Sequence, residues 1–276
     1  MNSDSIKMLA LHRKGHEFGH AIYLSEKIGS TQELAKLMLA KGIKSQHGTI
    51  VIARQQLNGR GRFGRNWISP TGGLWMSVIM TQGLTIKRAP IIQFLVAISV
   101  GETIAEMTRI ECTYKWPNDL LVHGKKICGI LVDVELQGNI VKNVVAGIGL
   151  NVNFPAAHLY RSKSFRLHSE VTTLRDELGY DVPLLDIIKL ILEKLESYNK
   201  LLKNGRIKAI MDTWRLRSEK FDRMITIKEG NTVIQARALG VDDRGVLKVE
   251  LPDKTVKEII LGDLYFTCDK PVSTLG

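Results

Sequence analysis

Arginine and glycine alternate through Gln56-Leu57-Asn58-Gly59-Arg60-Gly61-Arg62-Phe63-Gly64-Arg65-Asn66-Trp67. Glycines let the backbone turn sharply and expose its N–H groups, while Arg60, Arg62 and Arg65 present planar guanidinium forks suited to an anion. Such a segment is expected to be loose without a ligand and ordered with one. Trp67 follows at once and offers a flat face for a heterocycle. A second dense cluster is Lys115-Trp116-Pro117-Asn118-Asp119. Pro117 fixes its own φ and pushes Trp116 into an extended conformation, so Lys115 and Asp119 are held at defined places beside a ring. Lys126 then follows a turn and opens the apolar run Ile127 to Val132, a cation at the mouth of a buried strand.

Two common phosphate-binding patterns are excluded. No GxxxxGK[ST] sequence occurs, so the chain is not a Walker-type nucleotide binder. Gly147-Ile148-Gly149 lacks the third glycine of a dinucleotide fingerprint, and Asn151-Val152-Asn153 continues a strand where that fingerprint needs a helix.

The elements that must position these residues are legible from periodicity. Ser30-Thr31-Gln32-Glu33 reads as a capping box opening a helix to Lys41, with Gly42 as its left-handed stop. Thr49 to Ala53 and Leu74 to Thr81 read as strands, and Ala89 to Met107 as a long apolar helix packing across a sheet. Asp119 to Val122, Ile127 to Leu136 and Ile140 to Val152 form an expected antiparallel meander. Helices are expected over Leu184 to Leu202 and over 207–220. From Met224 the texture changes to four or five short strands between turns, which suggests a small barrel after a boundary near Arg223.

The chain has 276 residues with 44% hydrophobic content, enough for two domains. Lys and Arg outnumber Asp and Glu by 39 to 28, a formal charge of +11 that favours acidic partners. No apolar run is expected to reach the roughly 18 residues of a membrane span. The N-terminus lacks the pattern of a signal peptide, and Cys112, Cys128 and Cys268 form no CxxC pair. A cytoplasmic location is expected, with Cys128 a small buried hydrophobe.

Gly59-Arg60-Gly61-Arg62-Phe63-Gly64-Arg65-Asn66-Trp67, Lys115-Trp116-Pro117-Asn118-Asp119, Lys126-Ile127-Cys128-Gly129-Ile130-Leu131 and Gly147-Ile148-Gly149-Leu150-Asn151-Val152-Asn153 resemble, in order and spacing, the motifs of biotin protein ligases. The similarity runs from about Ser25 to the C-terminus. It implies an α+β fold: a mixed, largely antiparallel sheet flanked by helices, like class II synthetases, over residues 1–223, then a small SH3-like β-barrel over 224–276. It also implies a two-step reaction. Biotin and ATP give biotinyl-5'-AMP and pyrophosphate, and a lysine of a biotin carboxyl carrier domain then takes the biotin.

By the same resemblance Lys126 and Arg62 are catalytic, and Ser30, Thr31 and Gln56 hydrogen-bond the bicyclic head of biotin. Gly59, Arg60, Lys126, Gly129, Leu131, Gly147 and Gly149 would complete the biotin site. Arg60, Arg62, Arg65, Trp67, Lys115, Asn118 and Asn151 would bind ATP, with Asp119 nearest Mg²⁺. Closure of the Arg-Gly loop would shield the acyl-adenylate from water.

The chain departs from some relatives. Only about 24 residues precede the catalytic start, too few for a winged-helix DNA-binding domain, so sequence-specific DNA binding is not expected. The positive charge then suits steering toward an acidic carrier domain. Gln32 stands where many relatives have Asn. His12, His16 and His20 would align on a helix, but Gly15 and Gly19 interrupt it and no set of metal ligands is completed. A homodimer through exposed strands of the meander is compatible with the pattern. Two rivals stand further off. A lipoate or octanoate ligase uses a different Arg-Gly signature and lacks Lys-Trp-Pro-Asn-Asp. A non-enzymatic nucleic-acid binder would rest on one short Arg-Gly motif.

Overall fold

Apolar and β-branched runs between turn residues become the strands of two sheets in the computed structural model, which describes residues 7–9, 15–41, 47–160, 170–229, 232–260 and 263–266. In chain order the larger unit contains β1 (Lys7–Leu9), β2 (Ile22–Ile28), α1 (Thr31–Ala40), β3 (Ile50–Gln56), β4 (Leu74–Thr85) and α2 (Ile91–Thr108). It continues through β5 (Thr113–Lys115), β6 (Asp119–Val122), β7 (Lys125–Gln137), β8 (Ile140–Leu150), α3 (Ala157–Tyr160), α4 (Leu174–Leu178), α5 (Leu184–Lys203) and α6 (Ile207–Leu216). The strands pair in the order β1-β2-β3-β4-β8-β7-β6-β5. Among the described strands of this sheet only β2 and β3 run parallel, so it is mixed and largely antiparallel.

The meander β6-β7-β8 is as expected. β6 pairs only with the first part of β7, so β7 beyond Ile130 has no strand on that side among the described residues. Strand β2 was not anticipated, because Ser25-Glu26-Lys27 breaks its apolar alternation.

The two faces of the sheet do different work. Alternate residues such as Met76, Val78, Ala146, Ile148 and Ile130 turn toward α2, α5 and α6 and form the main core with Phe94, Ile191 and Trp214. Phe94 meets Trp214 edge-on at 5.1 Å, a favoured aromatic geometry. The intervening residues Val51, Ile79 and Val145 face α1 through Ala35 and Met38. The segment Ile86–Thr108, which is α2 and the short turn before it, is long and apolar enough by composition to cross a membrane, but most of its apolar stretch is buried in this core.

Ser30 occupies the N-cap position of α1 with extended backbone, yet its hydroxyl makes no capping hydrogen bond. The predicted capping box is therefore not formed, for a reason that the site makes clear. The helix ends at Lys41; Gly42 lies outside the described residues, as do His12 and Cys268. Residues 15–20 are not helical. His16 pairs instead with Glu196 at 3.0 Å. Glu17 forms an ion pair with Lys203 and takes hydrogen bonds from His47 and Asn199, which ties this segment to α5.

The smaller unit contains β9 (Arg223–Glu229), β10 (Thr232–Val241), β11 (Leu247–Glu250), β12 (Val256–Ile259) and β13 (Asp263–Phe266). They pair antiparallel in the order β12-β11-β10-β9-β13. Ile225, Ile227, Ala236, Ala238 and Val249 are buried and join the main core.

Candidate active site

The sheet register builds the floor of a cavity of about 450 Å³ on the α1 face. Gly129 of β7 lies opposite Gly149 of β8, and Leu131 opposite Gly147. Ser77 of β4 pairs with Gly147 on its other side. A Cβ on Gly149 would stand 2.6 Å from the Trp67 ring, and one on Gly129 2.8 Å from it. The paired glycines thus let the indole lie directly on the sheet, so the close approach foreseen for a ligand is made here by Trp67.

Lys126 reaches this face through a β-bulge. Leu120 pairs with Cys128 but Leu121 with Lys126, so Ile127 is an extra residue in β7. Strand alternation would otherwise put Lys126 on the face of Cys128 and Ile130, both buried in the main core. Its backbone is fixed on the outer side, donating to Glu170 O at 2.8 Å and accepting from Thr172 N at 3.0 Å.

Lys126 Nζ lies 2.7 Å from Asp119 Oδ1, with both side chains about one-fifth exposed. It also sits 5.0 Å from the Trp67 ring centroid. The two charges form an ion pair by distance, but no directed hydrogen bond joins them. We therefore treat the contact as a charge pair that a phosphate can compete for. Among the described residues no group of three or more His, Cys, Asp or Glu side chains could hold a metal. Asp119 is the carboxylate among those lining the cavity. One carboxylate engaged by a lysine does not fit a protein-held Mg²⁺; it fits an ion that arrives on phosphate oxygens.

The Arg-Gly segment is folded over this floor. Trp67 N–H donates to Gly59 O and Gly61 N–H to Arg65 O, both at 2.7 Å, closing the segment on itself. A 3-10 turn at Arg62–Gly64 puts Phe63 in the left-handed region at φ 55°, with its ring exposed under the Arg62 guanidinium. Arg62 Nη1 donates to Asn118 Oδ1 at 3.2 Å, joining the segment to the Lys-Trp-Pro-Asn-Asp motif. Arg60 meets Glu33 of α1 at 3.4 Å. Arg60, Arg62, Arg65 and Trp67 line the cavity, whereas Gly59 is not among its lining residues and serves at the base of the loop.

Lys115, Asn118, Asp119 and Asn151 line the same end. Trp116 between them is buried and donates its indole N–H to Gly245 O of the small sheet at 3.0 Å. Asn118 donates to Ile130 O at 2.9 Å. Asn151 Nδ2 donates to Thr172 O at 3.0 Å, and its side-chain oxygen Oδ1 is buried without a partner.

The opposite end is uncharged. Gln56 Oε1 accepts from Thr31 N at 2.8 Å and from Thr31 Oγ1 at 3.1 Å, and Gln56 Nε2 donates to Ser69 Oγ at 2.9 Å. Ser30 Oγ is buried with no hydrogen-bond partner. The hydroxyl that looked like a helix cap faces the cavity instead. A buried hydroxyl left unpaired is costly unless a ligand serves it.

The cavity therefore has a cationic end and a neutral hydrogen-bonding end. It can hold a polyanion at one and an uncharged polar ring at the other. Sequence reasoning missed Ser77, Ser69, Leu159 and Val171 among its lining or supporting residues. Ser77 carried a signal, as a lone hydroxyl inside the apolar run Leu74 to Met80; Leu159 and Val171 carried none. Burial pushes the Cys128 thiol well above its ordinary range, as suits a packed hydrophobe.

The family described as "Biotin/lipoate A/B protein ligase family" matches residues 24–151, and "Biotin protein ligase C terminal domain" matches residues 220–266. The chain is 33% identical over 251 residues to the bifunctional ligase/repressor BirA of Bacillus spizizenii, covering 89% of this chain and 73% of that protein. It is 27% identical over 220 residues to the biotin–[acetyl-CoA-carboxylase] ligase of Paracoccus denitrificans, covering 78% of this chain and 89% of that one. Among solved structures, the biotin protein ligase from Aquifex aeolicus in complex with biotin and ATP superposes with a TM-score of 0.73 at 25% identity, covering 89% of this chain and 99% of that one. With both family matches falling in order along one chain, and a fold that brings their motifs around one cavity, the chain belongs to the biotin protein ligase family.

Proposed function

We propose that the protein joins biotin to a lysine of a biotin carboxyl carrier domain in two steps driven by ATP. The observation that carries this reading is the single cavity with a neutral end at Ser30, Thr31 and Gln56 and a cationic end at Arg62, Lys126 and Lys115. The neutral end suits the ureido ring of biotin, whose donors and acceptor need partners in an apolar setting. The cationic end suits the phosphates of ATP.

In the first step a biotin carboxylate oxygen attacks the α-phosphorus. The new O–P bond forms as the bond to the β-phosphate breaks, and pyrophosphate leaves. Two anions must approach, so fixed positive charge is the main requirement. Lys126 supplies it at the join between the two ends, and Arg60, Arg62 and Arg65 supply it from the loop. Mg²⁺ enters as part of the nucleotide substrate, with Asp119 the available carboxylate. In the second step the carrier amine attacks the acyl carbon, AMP leaves, and the amine proton is lost as the amide forms. We assign the biotin site to Ser30, Thr31, Gln56, Leu131 and Gly147, with Gly129 and Gly149 seating the Trp67 ring beside it, and the nucleotide held by Trp67, Asn118, Asn151 and the cations. We also propose that 1–223 is the catalytic unit and 224–276 a supporting one. Pyrophosphate release from ATP, measured with and without biotin, tests the reaction. Release that does not depend on biotin overturns it.

A further inference from the structure

Gln32 borders the neutral end of the cavity, is only 3% exposed, and has no part in the scheme above. Its Nε2 faces three acceptors: Val145 O at 2.9 Å, Asp133 Oδ2 at 3.2 Å and Leu131 O at 3.4 Å. A flipped amide would aim its carbonyl at all three, so the environment allows one orientation. Its Oε1 therefore faces Ser77 Oγ, 3.0 Å away, and Ser77 must donate its one proton to it. The lone pairs of Ser77 are left toward Thr31 Oγ1 at 2.9 Å and toward the cavity.

The direction propagates. Gln56 Nε2 is committed to Ser69 and the Thr31 backbone N–H points at Gln56 Oε1, so that oxygen is also an acceptor. Thr31 has one hydroxyl proton, and both its neighbours, Ser77 Oγ and Gln56 Oε1, receive. Thr31 and Ser77 thus show only lone pairs to the ligand, while Ser30 Oγ, buried and unpartnered, keeps a proton to give.

We infer that Gln32 is a positioning residue that fixes the hydrogen-bond polarity of this end of the cavity, and so selects a ring that carries N–H donors beside a carbonyl acceptor. The inference rests on the reading that biotin is the ligand, whose cyclic urea has that arrangement. A dithiolane ring offers neither group.

The test compares biotin with a cyclic-carbamate analogue in which ring oxygen replaces one ring N–H. Both are titrated calorimetrically into wild type, Gln32→Met and Ser77→Ala. Wild type should prefer biotin by about tenfold or more, because the analogue sets oxygen against buried lone pairs. Gln32→Met keeps the side-chain length but lets Ser77 turn its proton to the cavity, and the preference should shrink to about threefold or less. Ser77→Ala removes an acceptor without adding bulk and should narrow the ratio too, which decides the matter if Gln32→Met does not fold. A ratio unchanged from wild type in the folded variants overturns the inference and leaves the biotin reading intact. Failure of wild type to bind biotin overturns that reading itself.

Discussion

Replacing Lys126 by alanine removes the cation that the bulge in β7 delivers to the cavity floor. At about 4 Å and an effective dielectric of about 20, one unit charge acting on another contributes about 4 kcal/mol. Part of the attraction is already engaged by Asp119 at 2.7 Å, and the transition state must draw Lys126 from that partner. The net loss should then lie near 3 kcal/mol, about a hundredfold or more in the rate of the first step. In the proposed pose biotin alone meets Lys126 only through its carboxylate, with its head at the neutral end, so its affinity should fall by less than about tenfold. Lys126→Met keeps the apolar stem against Trp67 and should behave the same way, which separates charge from packing. Single-turnover formation of biotinyl-5'-AMP at saturating ATP gives the rate, and calorimetric titration with biotin gives the affinity. Adenylate formed at nearly the normal rate, together with a large loss of biotin binding, would refute a charge-based role for this residue.

Three further outcomes follow from the same geometry. Arg62→Gly removes the loop's bond to Asn118 and should release biotinyl-5'-AMP about tenfold faster in a chase experiment, with formation still detectable; release at the wild-type rate counts against loop retention. Trp116→Phe deletes the donor to Gly245 O, should lower stability by about 1–3 kcal/mol, and should raise KM for ATP more than for biotin, because Lys115, Asn118 and Asp119 flank it; equal changes in both constants argue against this. Burial holds His47 below its ordinary value of 6.5, and Thr81 N–H donates to its Nδ1 at 2.9 Å, which favours the neutral ring. The unfolded chain takes up that proton first, so stability should fall as pH drops below about 6.5 and level off once native His47 also titrates. Burial would raise Glu17, but hydrogen bonds from Lys203 and His47 outweigh it and hold the carboxyl low, which adds a further loss at more acid pH. Urea midpoints at about pH 7.5 and about pH 5.5 check this, and His47→Gln should flatten the difference.

The charged half of the site was readable because its residues lie close together in sequence. Arg60 to Trp67, Lys115 to Asp119 and Lys126 each sit beside glycine or proline, whose backbone constraints announce a purpose. The neutral half was harder. Ser30 and Thr31 satisfied a helix-capping pattern so well that local chemistry explained them, whereas tertiary structure turns the Ser30 hydroxyl toward the cavity. Gln32 and Ser77 matter only because β4, β7 and β8 bring them together, and pairwise register of that kind leaves little trace in one chain. The role of Trp116 was half visible: proline fixed its backbone, but its partner Gly245 belongs to a separate unit. Apolar periodicity located the long helices to within a few residues, and missed β2 and β5 where strands were polar or very short.

The extra residue at Ile127 has a consequence for how this protein tolerates change. What places the ammonium group of Lys126 is a mismatch in residue count between two paired strands, so exchanging side chains nearby leaves its address intact while a single residue gained by β6 rewrites it. A residue inserted between Leu120 and Leu121 of β6, giving Ile127 a partner and restoring regular pairing, would carry the lysine through the sheet into the layer shared with α2, where an unpaired charge costs several kcal/mol. Such a variant should either misfold or reinstate the kink elsewhere, and it would do so with every other residue of the cavity still present.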